Sequence, residues 1–64
     1  MSALEIWTTF SVMEQHGGGF CAALALAWRK ADGANKARIE GAFPHLLEQF
    51  GPESRYYQHN PEAA

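Results

Sequence analysis

One cysteine is all that this 64-residue chain contains, and a lone Cys21 excludes any disulfide within it. So short a chain buries a smaller fraction of its surface than a larger domain and folds with little stability to spare. Chains of this size usually draw on disulfides, a metal or a partner subunit. Charge of one sign is also scarce: five Lys and Arg stand against seven Asp and Glu, a net charge of -2. That balance is too weak to argue for nucleic acid or a membrane surface. Long hydrophobic runs are missing too. The longest, Phe20 to Trp28, spans nine residues, well short of the roughly 20 that a helix needs to cross a bilayer. The first twenty residues hold acids and no basic stretch, so they do not read as an export signal. With a single cysteine, this sets the expectation of a reducing cytoplasm. What remains is one domain, for which self-association or a larger protein partner is the expected extra source of stability.

Soft metal ligands are few and badly spaced. His16, Cys21, His45 and His59 contain no C-x-x-C or H-x-x-x-H pair, so no metal and no cofactor are expected. Cys21 follows Phe20 in an alanine-rich stretch and reads as a small core residue, with no histidine placed by sequence as its base. The run His16-Gly17-Gly18-Gly19 has the form of an oxyanion-hole loop of some α/β-hydrolases. Those enzymes also need a G-x-S-x-G nucleophile elbow and a parallel sheet, and this chain has neither. The glycines read instead as a tight turn between helices, and no catalytic residue is expected.

What is present is helix. Hydrophobic residues make up 47% of the chain, enough for a core and unlike a disordered composition. Ser2-Ala3-Leu4-Glu5 has the form of a capping box. Ile6, Phe10 and Met13 then fall at i, i+4 and i+7, a helical stripe that Trp7 widens, running to His16. The β-branched Thr8, Thr9 and Val12 weaken the local propensity of that segment. From Phe20 to Ala31, five alanines and two leucines favour helix, and Phe20, Leu24, Trp28 and Ala31 share a face. This segment is apolar around most of its circumference and reads as the central helix, covered on several sides. Asp32 suits the N-cap of a third helix. That helix keeps one register through Ile39, Phe43, Leu46, Leu47 and Phe50 although Pro44 interrupts it, so it either kinks there or restarts with proline in its first turn. The restart is the preferred reading. Gly51-Pro52 is a stop signal. The expected architecture is all-α: a small bundle of three main helices over residues 1–51, with an extended or frayed tail over 52–64. Trp28, Leu24, Ile39, Phe43 and Leu46 are expected in the core.

Two features bear on partners. Eight Trp, Phe and Tyr residues are many for a bundle this small, and aromatics that a core cannot hold are typical interface anchors. Trp7, Phe10, Tyr56 and Tyr57 are assigned to a partner surface on that ground. Arg29, Lys30, Lys36 and Arg38 cluster over ten residues against Asp32 alone, and this basic edge is added to the same surface. A helix–turn–helix with a basic second helix could enter a DNA groove. The cluster is small, the whole chain is acidic and no arginine-rich arm is present, so a nucleic-acid-binding regulator stands second to a protein-binding module.

The stretches Glu14-Gln15-His16-Gly17-Gly18-Gly19-Phe20, Ala25-Leu26-Ala27-Trp28-Arg29-Lys30-Ala31-Asp32 and Asn35-Lys36-Ala37-Arg38-Ile39-Glu40-Gly41-Ala42-Phe43-Pro44 resemble small proteins encoded in phages and prophages of proteobacteria. The likeness covers roughly residues 14–50. It implies an accessory protein acting inside a bacterial host by binding, and inhibiting, a host protein such as a defence component. It assigns no residue a role.

Overall fold

A computed structural model describes residues 1–58, and those residues form helices and turns without a strand. The order is α1 (Ala3–His16), α2 (Gly18–Lys30), α3 (Gly33–Ala42), α4 (Pro44–Gln49) and α5 (Arg55–Gln58). The all-α class and the three main helices are as the sequence predicts. The register break also falls where Pro44 places it: Phe43 leaves helical geometry and Pro44 opens α4 at its first position, where proline's missing N–H has no intrahelical acceptor to lose.

The predicted caps form. Ser2 Oγ accepts the Glu5 backbone N–H at 3.1 Å while Glu5 Oε1 accepts the Ser2 N–H at 2.8 Å, a closed capping box. Asp32 Oδ1 accepts the Asn35 N–H at 2.8 Å at the start of α3. The glycine run is used differently from the expectation. Gly17 alone is the turn, and Gly18 and Gly19 already belong to α2. Gly17 sits where the two helices pass closest: a Cβ there would lie 2.4 Å from Cys21 Cβ and 2.7 Å from the Met13 carbonyl oxygen. Gly18 follows with φ of +80°, the left-handed value that turns the chain back.

The central element is α1, not α2 as the sequence suggests. Six consecutive residues of α1, Thr8 to Met13, are buried, which requires cover all the way round. That cover comes from α2 on one side and from α4 and α5 on the others. Thr9 sits fully buried because its hydroxyl donates to the Glu5 carbonyl at 2.7 Å, a bond within the helix that removes the cost of burying it. The polar Thr and Ser residues therefore hide the true centre from a hydrophobicity reading. Conversely, α2 buries only Cys21, Ala25 and Trp28. The predicted stripe of Phe20, Leu24, Trp28 and Ala31 is rotated away from this one.

The buried core is Phe10, Val12, Met13, Cys21, Ala25, Trp28, Leu46 and Phe50, with Ile6, Leu24, Ile39, Phe43, Leu47, Tyr56 and Tyr57 packed on it. Of the expected core, Trp28 and Leu46 are buried, and Leu24, Ile39 and Phe43 form its half-buried margin. The segment expected as an irregular tail from residue 52 is a turn and then the single-turn α5. Tyr56 and Tyr57 hold it on the core, and the Tyr57 N–H donates to Ser54 Oγ at 3.1 Å. The remainder of that predicted tail, 59–64, lies outside the described residues.

Candidate functional site

Trp28 joins three helices. Its ring stacks on Phe10 of α1 with centroids 4.3 Å apart and planes 6° from parallel. Trp7, one turn earlier on α1, meets it edge-on at 5.2 Å. From α3, Glu40 Oε2 accepts its Nε1–H at 2.9 Å, and Lys36 Nζ lies 5.0 Å from its ring centre. A groove of about 440 Å³ opens beside this cluster, lined by Ala3, Ile6, Trp7, Trp28, Lys36 and Glu40 among others.

The structure separates the residues that the sequence groups as a partner surface. Trp7 is 47% exposed and stands at that groove. Phe10 does not belong to any surface: at 2% exposure beneath Trp28 it is core, and a partner reaches it only by opening the bundle. The stripe with Ile6 and Met13 puts it on the inner face, and the excess of aromatics is what misplaces it. Arg29 is turned inward to α1, paired with Glu14 through Nη1 and donating to Ser11 Oγ at 3.3 Å through Nη2. Lys36 Nζ donates to the Arg29 carbonyl at 3.2 Å and the Ala31 carbonyl at 2.8 Å. It thus satisfies carbonyls at the end of α2, where the helix dipole favours a cation. Lys30 is exposed, and exposed Arg38 donates to Asn35 Oδ1 at 2.9 Å. Half of the basic edge therefore ties helices together. Tyr56 packs against His16 at 5.1 Å and Phe50 at 5.7 Å, with Arg55 over its ring. Tyr56 and Tyr57 are half-buried and fasten α5 to the bundle.

Other apolar side chains stand in the open: Leu4 at 71%, Phe20 at 61%, and Met1 and Leu26 at half or more. The sequence reading placed Phe20 on the buried face of α2, where the structure leaves it exposed. With Cys21, Ala25 and Trp28 as that face, Phe20 and Leu26 fall off it. Among the described residues no three of His, Cys, Asp and Glu come together as a metal could use them. His59 lies outside the described residues. No helix of the described residues is long and apolar enough to cross a membrane.

A second groove, about 540 Å³, lies between the start of α1, α4 and the turn that follows α4. Met1, Pro44, Leu47 and Pro52 give it apolar walls, and Glu5, Glu48 and Glu53 bring three carboxylates to it. Glu5 is held below the usual carboxylate range, first by the Ser2 backbone N–H, then by the Ser2 hydroxyl, with a smaller contribution from the amino terminus. Compared with family models, with curated proteins and with solved structures, the chain matches none.

Proposed function

We propose that this protein acts by binding another protein, through apolar side chains that its own core leaves uncovered. The observation that carries this reading is the exposure of Leu4, Trp7, Phe20 and Leu26 on a 64-residue bundle. Leu4 and Trp7, three residues apart, are neighbours on the surface of α1, and tryptophan is enriched among the residues that carry binding energy at interfaces. Self-association is part of the proposal, since a second copy would cover these side chains and add stability that a short chain lacks. The free, buried Cys21 fits a reducing cytoplasm. On the resemblance to phage and prophage proteins, the cell is a bacterial host and the partner a host protein that binding inhibits.

The test is capture from a bacterial lysate with the wild-type protein and with Leu4→Ser/Trp7→Ser, after circular dichroism shows that both are helical. A defined partner retained by the wild type and lost by the variant supports the reading. Identical captures by both overturn it. A sedimentation series over concentration gives the oligomeric state, and a monomer throughout removes self-association from the proposal.

A further inference from the structure

The acid-lined groove at the start of α1 combines two properties that select the same occupant. Its walls are apolar: Met1 folds back so that its sulfur lies 3.8 Å from Thr9 Oγ1, and Pro44, Leu47 and Pro52 continue the surface. Its acids are Glu5, Glu48 and Glu53; against them stands the Met1 amino group beside Glu5, and no Lys or Arg side chain lines it. Glu5 is fixed in place and kept ionised by the Ser2 cap. Glu48 and Glu53 are exposed, and their side chains make no hydrogen bond or ion pair among the described residues. The groove, about 540 Å³, is open to solvent along its length and suits an extended partner surface better than an enclosed ligand. An acidic partner would be repelled, and a purely cationic one would leave the apolar walls uncovered.

We propose that the groove formed by Met1, Pro44, Leu47 and Pro52, edged by Glu5, Glu48 and Glu53, docks a basic amphipathic segment of a partner protein. The apolar side chains of that segment seat on the walls, and its Lys or Arg residues meet the three carboxylates. This rests on the protein-binding reading and names a second surface for it, because Glu5 and Trp7 line different grooves. Complementary charge across such a contact speeds association and selects the partner more than it adds affinity.

The probe is a short helical peptide of leucine and lysine only, titrated by anisotropy. Two control peptides keep its length: one replaces leucine by serine, the other lysine by glutamate. The wild type binds the leucine–lysine peptide and neither control, and added salt weakens the binding. Glu48→Gln/Glu53→Gln lowers the association rate, followed by stopped-flow anisotropy at low salt, by about tenfold or more. Ala23→Lys/Ala27→Lys changes net charge by the same amount on exposed positions of α2 and lowers it by less than about threefold. Equal binding of the serine–lysine peptide, or equal loss in the two double variants, overturns the proposal because net charge alone then suffices. A wild-type dimer abolished by Glu48→Gln/Glu53→Gln also overturns it, since the occupant is then a second copy. The two readings fail separately: a lysate partner lost with Leu4→Ser/Trp7→Ser, together with no peptide binding, leaves the protein-binding reading standing without this groove.

Discussion

Trp28 concentrates more of the fold than any other side chain, because α1, α2 and α3 all meet on it. Trp28→Ala should cost about 3–5 kcal/mol, enough to unfold a bundle of this size, and urea titration followed by far-ultraviolet circular dichroism checks it. Trp28→Phe keeps most of the packing but leaves Glu40 without its donor, and a loss of about 1 kcal/mol is expected in the same titration. Gly17→Ala puts a methyl group into space already held by Cys21 Cβ and the Met13 carbonyl. A loss of about 1–3 kcal/mol is expected, with Gly19→Ala as a control, since a Cβ at Gly19 meets nothing within 4 Å. The Arg29–Glu14 pair is partly exposed, and Glu14→Gln should change stability by less than about 1 kcal/mol.

At the level of elements, caps and breaks carried the sequence reading and burial did not. The capping box depends on two residue types three positions apart, and the Asp32 cap and the restart at Pro44 on one each, so local chemistry decides them. The choice of central helix depends on what surrounds each face, and there the reading inverted α1 and α2. Thr8, Thr9 and Ser11 look like solvent-facing residues, yet packing on several sides buries them. Trp7 is exposed, whereas Phe10, assigned to the surface only because aromatics looked too many for the core, is packed inside it. The acid-edged groove was out of reach, because Glu5 and Glu53 lie 48 positions apart in the chain and line one groove only through the fold. The cap of α1 makes its own prediction. Ser2→Ala should lower stability by about 1 kcal/mol. Because folding lowers the Glu5 pKa, its contribution is complete above the pH at which glutamate titrates in the unfolded chain. It is lost as pH falls through the lower folded value. A thermal-melting series through the acid range should therefore show a drop that is smaller in Ser2→Ala.

For the whole molecule, the balance between inner and outer apolar residues governs behaviour. Replacing the exposed Leu26 by Ser should leave the melting temperature of the isolated monomer nearly unchanged, within about 0.5 kcal/mol. If two copies cover each other's exposed side chains, wild-type melting rises with protein concentration and that of Leu4→Ser/Trp7→Ser does not. Differential scanning at a low and a high concentration separates these cases. The surfaces proposed for partners lie on opposite chemistry, one aromatic with Lys36 and Glu40 beside it, the other aliphatic with three carboxylates.

The enclosed position of α1 has a consequence for how the chain is made. Synthesis runs from the amino end at about 5–20 residues per second, so α1 leaves the ribosome before any of the helices that surround it. Its partner α2 arrives next, joined through a one-residue turn, and the pair can form early as a hairpin. The sides covered by α4 and α5 stay bare until residues 44–58 have emerged. The centre therefore closes only when those last helices arrive, and until then the faces of α1 that they cover are open to chaperones.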